Sequence, residues 1–261
     1  MALLINFLFS SFLSFGREQA LKVVIDPGHG GRDGGAAFGT LREAEIVLNV
    51  SKELARLLKD SSNFEVQLTR DSDNYKSLVT RANEANKFDA DLFISIHANA
   101  SRDGKAKGAE FYFQNQLAAE DEALFLAAQE NQKETTDGLE PFQVFAWPSD
   151  QKKPKKDIVN IIEDLGRQDR LLSSRALAES LVTSWDHNGR PLQKALRQGP
   201  FFLLSNLKMP SVLVELGFIT NYKEAKELTT QHYQKKIAQN IYNGIKTFKE
   251  YIDKHRAESL D

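Results

Sequence analysis

The sequence predicts an α/β domain with a twisted, mostly parallel central sheet, and three observations predict it. Residues 21–25 and 92–96 are short, predominantly apolar runs, and residues 64–68 alternate apolar with polar, as buried and half-buried strands do. Between these runs, residues 43–59 and 77–88 repeat apolar side chains at helical spacing. Strands that alternate with helices build βαβ units, whose crossover helices cover both faces of a parallel sheet.

In chain order, the first run closes on Asp26-Pro27-Gly28, which ends a strand. Residues 43–59 then place Val47, Val50, Leu54, Leu57 and Leu58 on one helical face. A strand at 64–68, a helix at 77–88, and strands at 92–96 and 109–113 follow. Residues 114–165 break the pattern, with helical stretches near 118–132 and 157–165. Between those stretches lie Gly138, Pro141, Pro148, Pro154 and a Lys152-Lys153-Pro154-Lys155-Lys156 run. A segment this long without strong periodicity inside a domain is usually functional or mobile, and the lysine run reads as a solvated loop. Regularity returns with an amphipathic helix at 167–185, strands at 201–204 and 211–215, and a closing helix at 233–251. The chain reads as one domain over 21–255 with an insertion at 114–165.

Composition narrows the functional classes. A formal net charge of -2 over 261 residues offers no basic excess for nucleic-acid phosphates. The absence of cysteine excludes disulfides, thiolate metal sites and a cysteine nucleophile, so any metal must be held by His, Asp or Glu. Residues 1–16 are apolar and uncharged, too short to span a membrane comfortably but long enough for a signal-peptide core. Ser14-Phe15-Gly16 offers a small-x-small cleavage point, although the segment lacks the usual leading Lys or Arg. The expectation is an exported protein of the periplasm or cell envelope, with no membrane span in its mature part.

The candidate chemistry collects at strand ends. His29 lies in a glycine-dense loop after the first strand, His97 ends a middle strand, Glu215 ends a late one, and Glu43 opens a helix. In parallel sheets, ligands bind beyond the carboxyl ends of the strands, so all four residues fall at one edge. Taken singly, His97 reads as a hydrogen-bonded structural histidine, and Glu43 as a first-turn carboxylate complementing the helix dipole. Glu215 ends the apolar run Val212-Leu213-Val214, where an unpartnered carboxylate is rarely placed without a role. Together, His29, Glu43 and His97 form the two-histidine, one-carboxylate set of a catalytic zinc, one ion with an open position, leaving Glu215 as general base. Asp26 and Asn99 are candidates to orient these ligands through hydrogen bonds. A phosphate cradle is excluded, because no Gly-Lys-Ser/Thr occurs and Asp33 stands where a dinucleotide fingerprint needs glycine. His187, His232 and His255 read as surface residues.

The stretches VVIDPGHGGRDGGA, REAEIVLNV, LTRDSD, LVTRANEAN, DLFISIHANA and MPSVLVELGFITN carry a resemblance. Found in this order, they resemble the zinc-dependent N-acetylmuramoyl-L-alanine amidases of bacterial cell-wall turnover, in particular the periplasmic cell-division type. The resemblance implies zinc on His29, Glu43 and His97, with Glu215 as the catalytic glutamate. It implies hydrolysis of the amide between the lactyl group of N-acetylmuramic acid and L-alanine of the peptidoglycan stem peptide. It also selects Glu43 over Glu45, which should point to the helix flank. In the cell-division type, an inserted helix blocks the zinc until an activator protein displaces it. LFLAAQENQK at 124–133 resembles that helix, with Glu130 as the blocking ligand. The alternatives are a zinc peptidase cutting within the stem peptide, or a non-catalytic wall-binding module on the same fold.

Overall fold

A computed structural model of the chain describes residues 20–115, 120–131, 156–185 and 195–258. Strands β1 (Leu21–Pro27), β4 (Phe64–Leu68), β5 (Leu92–Asn99) and β8 (Ser211–Phe218) run parallel. Strand β6 (Glu110–Gln114) joins antiparallel to β8, and β7 (Leu196–Gly199) extends the sheet parallel to β6. The order across the sheet is β4-β1-β5-β8-β6-β7, and a small hairpin of β2 (Ala37–Phe38) and β3 (Leu41–Arg42) stands apart. The sheet is therefore mostly parallel, as expected.

Helix α1 (Glu43–Lys59) occupies the predicted range because its charges agree with its ends: Glu43 and Glu45 in the first turn, Arg56 and Lys59 in the last. Helix α2 (Leu78–Phe88) starts where the Ser77 side chain caps the Thr80 amide, and it stops at Asp89 in a left-handed conformation. Helices α4 (Lys156–Ser184) and α7 (Gln231–Glu258) pack with α1 over Val23, Ile25, Ile94, Ile96, Val212 and Val214. On the opposite face, α2, α3 (Asp121–Asn131) and α5 (Phe202–Ser205) cover Val24, Phe93, Tyr112 and Leu213. Short α6 (Tyr222–Leu228) follows β8.

Strand alternation carries this second face toward the carboxyl edge. Val24 is succeeded by Asp26, Phe93 by Ser95 and His97, and Leu213 by Glu215, all buried. The apolar layer under α2, α3 and α5 thus becomes a polar floor at one end of the sheet.

Two expectations are corrected. Residues 201–204 are not a strand: after Pro200 they form one helical turn, with Leu203 and Leu204 buried. Periodicity cannot separate the two readings over so short an apolar run. The true strand is the preceding Leu-Arg-Gln-Gly of β7, whose polar sequence hides it. The helices expected at 157–165 and 167–185 are one continuous helix, with Gly166 tolerated in its interior. Among the described residues, no helix is long and apolar enough to cross a membrane. Residues 1–16 and the lysine run at 152–155 lie outside the described residues, as does His187. His232 and His255 are exposed.

Candidate active site

The loop after β1 holds His29 at φ 60°, an uncommon conformation for a residue with a side chain. Such strain costs roughly 1–3 kcal/mol and persists only where surrounding contacts over-determine it. Two buried arginines supply those contacts. Arg81 donates to the His29 carbonyl at 2.6 Å, and its Nη1 donates to the Pro27 carbonyl and to Asp26 Oδ1, each at 2.7 Å. Arg70 donates to the carbonyls of Pro27, Gly28 and Ala44, tying the loop to the first turn of α1. Asp26 also accepts from the hydroxyls of Thr69 and Ser95 at 2.5 and 2.7 Å. Burial opposes its ionisation, but Arg81 and the two hydroxyls hold its carboxyl below 3.8.

Arg81→Ala would strip the buried Asp26 of its countercharge. It is expected to destabilise the fold by about 3–5 kcal/mol, read as a lower midpoint in chemical denaturation. A loss below 1 kcal/mol would contradict this role. Because the folded pKa of Asp26 is depressed, its contribution is present above pH 3.8 and fades as pH falls toward the folded value.

With the loop fixed, the side chains converge. His29 Nδ1 lies 2.9 Å from Asp33 Oδ2, which turns Nε2 toward Glu43 Oε1, also 2.9 Å away. His97 Nδ1 is 3.1 Å from that same oxygen, and the two imidazoles meet edge to face with centroids 4.8 Å apart. Glu43 is fixed by the backbone amides of Ala36 and Ala98 at 2.7 and 2.9 Å. Two glycines make room. A Cβ on Gly28 would lie 2.5 Å from the His97 ring, and one on Gly35 would lie 2.5 Å from Glu43 Oε2. Glu45 is exposed on the helix flank.

Glu215 is 1% exposed and stands opposite His97 in the β5–β8 register. Directly after this pair the register shifts, so that Asn99 faces Phe218, with Gly217 at φ 149°. Glu215 Oε2 has no hydrogen-bond partner among the described residues. Burial, followed by repulsion from Glu43, Glu130 and Glu110, pushes its carboxyl well above the usual carboxylate range.

Glu130 arrives from α3. Its Oε2 is 3.6 Å from His97 Nδ1 and 4.0 Å from His29 Nε2. His29, His97 and Glu130 offer donor atoms all within 4.8 Å of one another. The space they bound with Gly28 and Asp26 is about 20 Å³, enough for one ion or water molecule and far too small for an organic substrate. The helix is anchored there by Asn131, which donates to the Pro200 carbonyl at 2.9 Å and accepts from the Phe202 amide at 2.7 Å.

The electrostatics call for a cation. Burial alone would lower the pKa of His29, yet Glu43, Asp33 and Glu130 raise it from 6.5 to about 10. Glu43 is held well below its usual range, its own burial overcome by the two histidines. Imidazole nitrogens and carboxylate oxygens clustered in a buried space suit a borderline divalent ion such as zinc.

Asp26 sits behind the His29 loop and acts on it through Arg81. The Asn99 amide instead turns toward Glu110, at 2.9 Å. Sequence reasoning missed Arg70, Arg81 and the orienting role of Asp33. The two arginines lie inside LTRDSD and LVTRANEAN, where a cation amid turn and helix signals reads as surface.

A family model described as N-acetylmuramoyl-L-alanine amidase matches residues 23–247. The chain is 30% identical over 236 residues to N-acetylmuramoyl-L-alanine amidase AmiC of an Escherichia coli O6:H1 strain, covering 89% of the chain and 54% of that protein. It is 32% identical over 241 residues to AmiA of Escherichia coli K12, covering 91% of the chain and 79% of that protein. The chain therefore spans about half the length of one relative and about four fifths of the other. An N-acetylmuramoyl-L-alanine amidase from Clostridium difficile 630 superposes with TM-score 0.63 at 25% identity, covering 88% of this chain and 97% of that one. The CwlD amidase of Clostridioides difficile, solved in complex with the GerS lipoprotein, superposes with TM-score 0.55 at 26% identity, covering 88% and 99%.

Proposed function

The chain belongs to the N-acetylmuramoyl-L-alanine amidase family, and from that premise we propose that it hydrolyses the amide joining the lactyl group of N-acetylmuramic acid to L-alanine of the stem peptide. The observation that carries this reading is Glu215, a buried carboxylate with an unpartnered oxygen beside the His29, Glu43 and His97 cluster. His29, His97 and Glu43 would hold one zinc ion, which when bound polarises the amide carbonyl and acidifies the attacking water. Glu215 takes a proton from that water and delivers it to the alanine nitrogen as the carbon–nitrogen bond breaks. Asp33 holds the His29 ring in the tautomer that presents Nε2 to the cluster.

Product analysis tests the reading. Purified muropeptides should yield intact stem peptides with a new alanine amino terminus, together with muramic acid free of peptide. Fragments cut within the stem peptide would favour a peptidase. No cleavage by a zinc-loaded, opened protein would favour a non-catalytic wall-binding module.

In this reading the described conformation is closed. Glu130 reaches both histidines, and the remaining space excludes a muramyl peptide. Helix α3 must therefore leave before substrate enters, and an activator protein that binds the open form better would drive that change. Glu130 approaches the imidazoles at 3.6 and 4.0 Å, an ion-pair distance that contributes up to about 1 kcal/mol, so Glu130→Ala should raise basal turnover about fivefold without a partner. Unchanged basal turnover would remove Glu130 from the closure. The apolar residues 1–16 support export to the periplasm or envelope, where this substrate is found.

A further inference from the structure

Arg197 on β7 lies beside the site but takes no part in the chemistry above. Its Nη2 is 3.0 Å from Glu110 Oε1, and its Nη1 pairs with Glu120 Oε2, just before α3. The side chain is only 16% exposed, and its buried Nε has no hydrogen-bond partner among the described residues. The two carboxylates around it differ in kind. Glu110 is built in: its Oε2 accepts from Asn99 at 2.9 Å and from the Tyr112 hydroxyl at 2.8 Å. Glu120 is 43% exposed and belongs to the segment that opening of the site must displace.

We propose that Arg197 recognises a stem-peptide carboxylate, and that Glu120 occupies this receptor while the site is closed. The proposal rests on the amidase reading, since that supplies an acidic peptide beyond the scissile amide. Position favours it. Glu110 faces Glu215 in the β6–β8 register, and Arg197 faces Tyr112 across β6–β7. The arginine backbone is therefore two strands across and two residues along from the catalytic carboxylate, roughly 12 Å at ordinary strand spacing and rise, and its guanidinium leans back to Glu110. An extended peptide advances roughly 3.5 Å per residue, so the second or third stem residue reaches it. A groove of about 790 Å³ opens beside the arginine, lined by Asn99, Glu110, Tyr112, Arg197 and Phe218 and bordered by Leu126 of α3.

Arginine suits the task because its planar fork binds carboxylates bidentately, and Glu110 holds it oriented without occupying both edges. Helix α3 and its leading residue thus lie along the substrate's path with a carboxylate at each end. Glu130 takes the place of the reacting group, and Glu120 the place of the peptide's acid.

The test uses paired muramyl pentapeptides that differ only in a free or an amidated α-carboxylate at the second stem residue. Steady-state kinetics with the zinc-loaded full chain should favour the free acid about tenfold or more in kcat/KM, mainly through KM. Arg197→Gln should equalise the two substrates. Glu120→Gln, an exposed change that leaves the core intact, should lower KM for the free acid with a smaller effect on the amide. Equal use of both substrates by wild type, or a preference that survives Arg197→Gln, overturns the proposal. Should Arg197→Gln fail to fold, an unchanged KM in Glu120→Gln overturns it alone. If neither pentapeptide is cleaved even by the full chain opened with Glu130→Ala, the amidase reading fails, and calorimetric binding of the same pair to that variant decides the arginine's role separately. Preferential binding of the free acid that Arg197→Gln abolishes supports that role, and equal binding overturns it.

Discussion

Replacing Glu215 with glutamine is expected to lower kcat about a hundredfold to ten-thousandfold while zinc stays bound, the range that positioned proton transfer supplies. The separation of the two readouts follows from geometry. Glu215 pairs with His97 on the neighbouring strand, but its Oε2 makes no hydrogen bond among the described residues, and the clustered nitrogens of His29 and His97 approach Glu43 and Glu130 instead. Glutamine preserves the shape and burial of the side chain and removes only its ability to exchange a proton. It also removes a carboxyl whose ionised form is disfavoured by burial and by Glu43, Glu130 and Glu110, so the variant should be at least as stable as the parent. Single-turnover kinetics together with elemental analysis check this. Near-normal turnover would exclude the proton-transfer role, and lost zinc would make Glu215 a ligand.

His97→Ala should behave in the opposite way, losing zinc and with it essentially all turnover. Removing a ligand should cost more than the roughly tenfold to hundredfold loss of metal affinity typical when an orienting partner is removed. Asp33→Ala supplies that smaller step, since Asp33 touches His29 Nδ1 and not the clustered donor atoms. Competitive titration with a zinc indicator should therefore rank wild type above Asp33→Ala and Asp33→Ala above His97→Ala. Equal zinc content in all three would exclude the assigned site.

Much of this was legible in the sequence, for identifiable reasons. Helix α1 and strand β4 fall on their predicted ranges because periodicity, end charges and composition agree there. His29, His97 and Glu215 could be placed at one edge because strand ends are visible as the points where apolar runs meet polar residues. The turn at Phe202–Ser205 was misread because four apolar residues after a proline suit a strand or a helix equally. Strand β7 was missed because an edge strand can be polar and half-buried. The arginine supports were hidden for a different reason. Arg81 stabilises the strained His29 loop from 52 residues away, a contact that exists only once α2 packs over the sheet. The placement of Glu130 likewise depends on Asn131 binding the backbone around Pro200, a long-range match with no local signature.

Crystals of the zinc-loaded protein, measured on both sides of the zinc absorption edge, test the central claim most directly. The account predicts a single strong anomalous peak at the His29, Glu43 and His97 cluster, with a Glu130 oxygen as its fourth neighbour. No peak there, or a peak held by other residues, would contradict it.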